Sequence, residues 1–429
     1  MIKTITKNAL FKNSFIYMSG SIIGGFLGYL FHFIISRKLS VGQYGELQSL
    51  ISISAILGVF PAALSYFVIK YSSVFAKFKD YRSNEQFIKL LNSKIIRLNF
   101  FLFLLFFLFI PLIGKFLHTE NYLGLIIIGI AVIFSVVATV YRGMLTGWEE
   151  FGKVSLIGIL SALAKLVAGF LIVLFFPTAS AVVIAFLIAG ITGWTLVKAF
   201  SKKKYFSVQR KKVTENDWQR RYFSRMNIKK SIAPIFIFSL ALILISNIDI
   251  ILIKNLTSSE LTGYYGALSI LGKIILWLNL AVVGVILPNA CASGQGGKSV
   301  SRKILLSAYG LIFFISFSAM GLYFLFPTFV ISLLFGAKYA LFSNDLWLFA
   351  VMALALSLLT LESNFAYARH NFKISYILMG VVAFMTLGIY FFHTTIQEVI
   401  IDVIVSFAIG YLAVLVNNKK FGHKSIKNI

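Results

Sequence analysis

Two lysines stand where a charge is costly. Lys165 lies in LSALAKLVAGF and Lys273 in ILGKIILWL, each flanked by long apolar stretches. An ammonium buried in such a run marks a water-filled path, an ion pair, or an anion to be held. Asp249, in SNIDIILI, offers Lys273 a counter-charge, as a structural ion bridge or as a coupling pair. Lys165 has no acidic residue near it in sequence, which favours an aqueous cavity that accepts anions. His32, Glu362, Asp402 and Glu46 form a weaker set for proton or sodium coupling, and Glu46 and Asp402 lie near the ends of their runs.

Other chemistry finds no support. The single cysteine, Cys291, excludes an intramolecular disulfide, and the five histidines are scattered singly, so no metal site is expected. GQGGKS (294–299) approximates a phosphate-binding loop, but Ala292 stands where the first glycine belongs and no soluble strand precedes it. There is no Ser/His/Asp set and no H-E-x-x-H. The sequence therefore predicts no catalytic residue, no cofactor and no enzyme.

The elements that must position these charges are membrane helices. The chain has 429 residues, 59% hydrophobic and 13% charged, with a mean hydropathy of +0.90. A soluble domain carries about 25% charged residues. Apolar runs are predicted as helices over 14–36, 44–69, 98–117, 122–141, 154–176 and 180–199, then 231–253, 263–288, 304–326, 345–366, 374–392 and 399–417. Lys165 falls about 18 Å into the fifth run and Lys273 about 15 Å into the eighth.

The net charge of +26 reads as topology and lipid contact rather than nucleic-acid binding. Of the 40 Lys and Arg, all but seven fall in the tails, in the even-numbered loops or, as Lys198 does, at the end of a run that leads into one. The seven are Arg37, Lys38, Lys254 and Lys338 in odd-numbered loops, Lys115 at the end of the third run that leads into one, and Lys165 and Lys273 deep inside runs. That asymmetry predicts both termini in the cytoplasm. The expected division is a six-helix bundle over 1–200, a basic cytoplasmic linker over 201–230, a second bundle over 231–417 and a tail over 418–429. The odd-numbered loops are too short for an external catalytic domain.

SRKLSVGQYGELQSL (36–50) and IKNLTSSELTGYYGALSIL (253–271) match in outline, setting Gly45 against Gly263 and suggesting a parallel internal repeat. Gly20, Ser21, Gly24, Gly25 and Gly28 predict close helix packing in the first run. Pro61 predicts a kink in the second.

Three passages, LSVGQYGELQSL (39–50), YRGMLTGWEEFGKVSLIGIL (141–160) and NIDIILIKNLTSSELTGYYGAL (247–268), together with the layout, resemble the polysaccharide-biosynthesis or O-antigen flippases. These belong to the superfamily of multidrug and oligosaccharidyl-lipid exporters. The resemblance implies an all-α membrane protein of about twelve transmembrane helices, in two six-helix bundles around a central cavity. It implies a lipid-linked oligosaccharide as substrate, carried on undecaprenyl diphosphate and flipped across the bacterial inner membrane, a multi-pass localisation. It also implies that cavity cations hold the diphosphate or acidic sugars, with Lys165, Lys273, Arg37 and Arg142 as the matching candidates. Membrane lipids, polysaccharide polymerase and chain-length machinery are the implied partners, and no nucleic acid. The chain departs from the fourteen-span pattern of peptidoglycan-precursor flippases. The competing class is a multidrug or cation exporter, whose cavity would be lined by carboxylates.

Overall fold

A computed structural model of the chain describes residues 2–119, 121–205, 228–292, 298–369 and 371–427, with side chains over 16–119, 121–201, 233–280, 305–367, 369 and 371–419. The expected linker lies largely outside the described residues, as do the side chains of the N-terminal lysines, of Cys291 and of the tail beyond 419. Among the described residues there is no strand.

The first helices are α1 (Ile2–Lys38), α2 (Val41–Leu57), α3 (Val59–Lys77), α4 (Tyr81–Phe116), α5 (Leu123–Gly147), α6 (Phe151–Phe175), the short α7 (Ala179–Val182) and α8 (Ile184–Tyr205). There follow α9 (Ile228–Ile245), α10 (Ile248–Leu256), α11 (Ser259–Ala292), α12 (Lys298–Leu325) and α13 (Pro327–Leu334). A 3₁₀ helix (Ala337–Asp345) precedes α14 (Leu346–Ala368), α15 (Ile374–Phe391) and α16 (Ile396–Lys427). Among the described residues, 11 helices are long and apolar enough to span a membrane, and up to 12 when a bent pair counts as one. Each of the twelve expected runs has its counterpart.

The second and seventh runs are each broken for a local reason. The second stops being one helix at Gly58, three residues before Pro61, whose ring cannot donate and crowds the carbonyl four residues back. The seventh bends by 49° between α9 and α10. There the Ser246 Oγ donates to the Leu242 carbonyl and the Asn247 Nδ2 to the Ile243 carbonyl, both at 2.9 Å. Side chains that take up the last carbonyls of a helix end it, and α10 starts afresh after Asn247.

The chain forms two compact units. The first holds residues 1–38 and 54–236, the second 39–53 and 237–429. The placement of 39–53 differs from the division expected from sequence, which kept the whole second run in the first bundle.

In the first unit α1 packs on α6, α3 on α5, α4 on α5, α5 on α8 and α6 on α8. Gly143 and Gly147, four residues apart on α5, seat Val68 and Ser72 of α3, where any Cβ would collide. Close approach through small residues is how helices gain contact in lipid, where hydrophobic burial supplies no drive. Phe67, Phe75, Phe87, Val136, Val140, Met144 and Ile157 fill the resulting core. Of the α1 glycines, Gly20 seats Ser155 of α6 as expected, whereas Gly24 and Gly28 have open space around them.

The second unit repeats this pattern run for run. α10 packs on α15, α11 on α14, α12 on α14, α14 on α16 and α15 on α16. The Asn279 Nδ2 donates to Ser316 Oγ at 3.0 Å and Ser357 Oγ at 2.9 Å, tying α11, α12 and α14 together. The segment 39–53 is anchored in the same unit. The buried Tyr44 packs edge-on against Phe335 and Tyr339, and the Lys338 ammonium donates to the Leu39 carbonyl.

Candidate functional site

A cavity of about 250 Å³ opens in the first unit. Ser54, Gly58 and Pro61 line it from the broken second run, Ser135, Thr139 and Arg142 from α5, Ser161 from α6, and Phe186, Gly190 and Gly193 from α8. The small residues keep it open: a Cβ at Gly193 would stand 3.1 Å from the Ser161 Oγ. Among the described lining residues the one charge is the Arg142 guanidinium, and there is no carboxylate. The Ser161 hydroxyl is buried without a hydrogen-bond partner. A cation with unspent hydroxyl donors suits an anion or a polyhydroxylated group, because each can be repaid for its lost water by hydrogen bonds.

Lys165 follows Ser161 by four residues and so shares its face of α6. Its ammonium lies 4.9 Å from the Phe31 ring centroid and 5.0 Å from that of Phe186, which itself lines the cavity. Phe31 and Phe186 meet edge-to-face at 5.5 Å. Phe31 is fully buried, its ring set against Gly169 one turn beyond Lys165, where a Cβ would strike the ring. No carboxylate pairs with Lys165 among the described residues. Of the three cations of the first unit named from sequence, Arg142 lines the cavity and Lys165 stands beside it, over Phe186. Arg37 does neither: it stands exposed in the last turn of α1. His32 is 9% exposed and packs edge-on against Phe31 at 5.5 Å.

The second unit brings Asp249 and Lys273 together. Both line a cavity of about 10 Å³, with Ser246, Gly272, Met352 and Phe407 among its other walls. That is room for about one water. Asp249 is 3% exposed, and its Oδ2 accepts from the Tyr265 hydroxyl at 2.9 Å. Its Oδ1 closes no hydrogen bond of normal geometry. The two opposite charges thus face one small buried cavity. Glu362 is held elsewhere: Tyr309 donates to its Oε1 and Asn418 to its Oε2 at 2.8 Å, and Tyr411 extends the network to Tyr309. Asp402 rests its carboxylate on Gly388, with Oδ2 buried and without a partner.

The hydroxyls Ser54, Ser135, Thr139 and Ser161 and the rings Phe31 and Phe186 are the site members that sequence reasoning passed over. Ser161 had a signal, its four-residue spacing from Lys165. Phe186 had none, since only folding brings it there.

Comparison with known proteins fits this architecture. An uncharacterised membrane protein of Methanocaldococcus jannaschii is 26% identical over 295 residues, covering 65% of this chain and 67% of its own. The fold is similar to that of a lipid II flippase, MurJ, in an inward closed conformation (TM-score 0.72, 15% identity, 94% of this chain and 87% of that one). It is likewise similar to a multidrug resistance MATE family transporter of the MOP superfamily in an inward-facing conformation (TM-score 0.70, 13% identity, 95% and 97%). The family model described as polysaccharide biosynthesis protein matches residues 10–290. This multi-pass membrane chain, folded like the MOP superfamily transporters, belongs to the polysaccharide biosynthesis protein family.

Proposed function

We propose that the protein is a flippase for an undecaprenyl-diphosphate-linked oligosaccharide, carrying it by alternating access to the outer leaflet for surface polysaccharide such as O-antigen or capsule. The observation that carries this reading is the first-unit cavity, where Arg142 and hydroxyls line the wall, Lys165 stands beside it and no described lining residue is acidic. The diphosphate would take the cations and the sugars the hydroxyls, while the polyprenyl tail stays in lipid. On this reading the protein sits in a bacterial inner membrane with both termini in the cytoplasm. It works with polysaccharide polymerase and chain-length machinery rather than performing catalysis itself.

The test is deletion of the gene with leaflet-resolved analysis of lipid-linked oligosaccharide. Accumulation on the cytoplasmic leaflet, with surface polymer lost, is the expected result. Normal polymer with altered drug susceptibility would instead favour an exporter of cationic drugs.

A further inference from the structure

We propose that Phe31 and Phe186 are the resting seat of Lys165: they hold its ammonium while the cavity is empty and yield it to an anion entering beside Ser161. The inference rests on the anion reading of the cavity. It concerns two aromatic residues that this reading leaves without a role.

A lone ammonium in a membrane interior needs compensation even when no ligand is present. Lys273 has it in Asp249, with which it shares a cavity wall. Lys165 has the two ring faces instead, at 4.9 and 5.0 Å from their centroids, within the range of cation–π attraction. Such an attraction is weaker than a charge-assisted bond to a phosphate, so an arriving anion outbids it. A carboxylate partner would compete far more strongly and would blunt the site.

Position supports the exchange. Lys165 is not among the described residues of the cavity wall, but Ser161, one turn away on α6, and Phe186, under its ammonium, both are. Swinging a flexible four-carbon stem past Phe186 therefore delivers the charge without moving a helix. Gly169 completes the seat. With any side chain there, the Phe31 ring would be pushed from its place under the ammonium.

The experiment uses the full chain in lipid nanodiscs, with two readouts. The first is acetylation of Lys165 by acetic anhydride, followed by mass spectrometry without ligand. The second is affinity for inorganic pyrophosphate. Phe186→Leu keeps the apolar bulk and removes the ring face. It should raise Lys165 acetylation severalfold and tighten pyrophosphate binding by about two- to tenfold. Adding Lys165→Met should abolish that gain. Phe31→Leu serves as a second variant with the same expectation. Unchanged acetylation in both variants, or weaker pyrophosphate binding in Phe186→Leu, overturns the seat. Failure of the unaltered protein to bind pyrophosphate would sink the anion reading, and acetylation alone would then decide the seat.

Discussion

At the scale of single residues, charge is what the cavity in the first unit adds to an apolar bundle. Removing Lys165 or Arg142 withdraws a charge-assisted contact worth about 1.5–3 kcal/mol. Lys165→Ala and Arg142→Ala should therefore each cut transport of a diphosphate-linked substrate by about tenfold or more, with the protein still present in the membrane. Surface polymer measured against membrane-localised protein checks this. Polymer at the normal level in both variants would remove these side chains from the transport path. Lys165 stood out in sequence because a hydropathic run makes any charge conspicuous, whereas Arg142, just past the fourth run, was named only through the family resemblance. The hydroxyls did not stand out, since serine and threonine inside membrane helices commonly bond their own backbone, as Thr139 does to the Ser135 carbonyl. Nothing in the sequence marks Ser161 as a buried hydroxyl left without a partner.

At the scale of helices, the matched glycines carry more meaning than their alignment suggested. Gly45 and Gly263 were read as equivalent positions of a repeat, yet α2 and α11 cross at these two residues. A Cβ at Gly45 would collide with the Ser259 carbonyl and the Gly263 backbone, and one at Gly263 with the Val41 carbonyl. Backbone cannot yield as a flexible side chain does, so overpacking there costs about 1–3 kcal/mol or more. Gly263→Val should lower the thermal unfolding midpoint by several degrees, while Gly310→Ala, with open space around it, should leave the midpoint unchanged. Equal midpoints for the two variants would show that the crossing is not a tight one. Sequence pattern supplied the twelve runs and the kink near Pro61 because hydropathy and proline act locally. It gave no warning of the break at Ser246 and Asn247, since the two side chains end α9 only by turning back onto its carbonyls.

At the scale of the whole molecule, the two units share one packing scheme, with the first run on the fifth, the second and third on the fourth, and the fourth and fifth on the sixth, repeated from the seventh onward. They differ in their charge. The first presents a guanidinium and hydroxyls to a cavity of about 250 Å³, while in the second Asp249 and Lys273 line room for about one water. The two units thus share their pattern of helix contacts and differ in their interiors. This is the expected outcome when packing constrains small residues tightly and the walls of a cavity only loosely. The sequence could show the duplication in one short passage, because contact partners repeat even where residue identities no longer do.

The assignment of residues 39–53 to the second unit has a mechanical consequence. The chain passes between the units three times, at 38/39, 53/54 and 236/237, so the crossing after the middle of the sequence is one of three. A polypeptide cut within 206–227 would leave an N-terminal piece that still threads its own strap, Tyr44 included, into the body of the C-terminal piece. Limited proteolysis in that segment should therefore yield two fragments that migrate as one particle in size-exclusion chromatography and part only on denaturation. Fragments that separate under native conditions would mean that the strap does not hold. A protein laced in this way can lose a peptide bond without losing its integrity, and its sequence can be supplied as two chains.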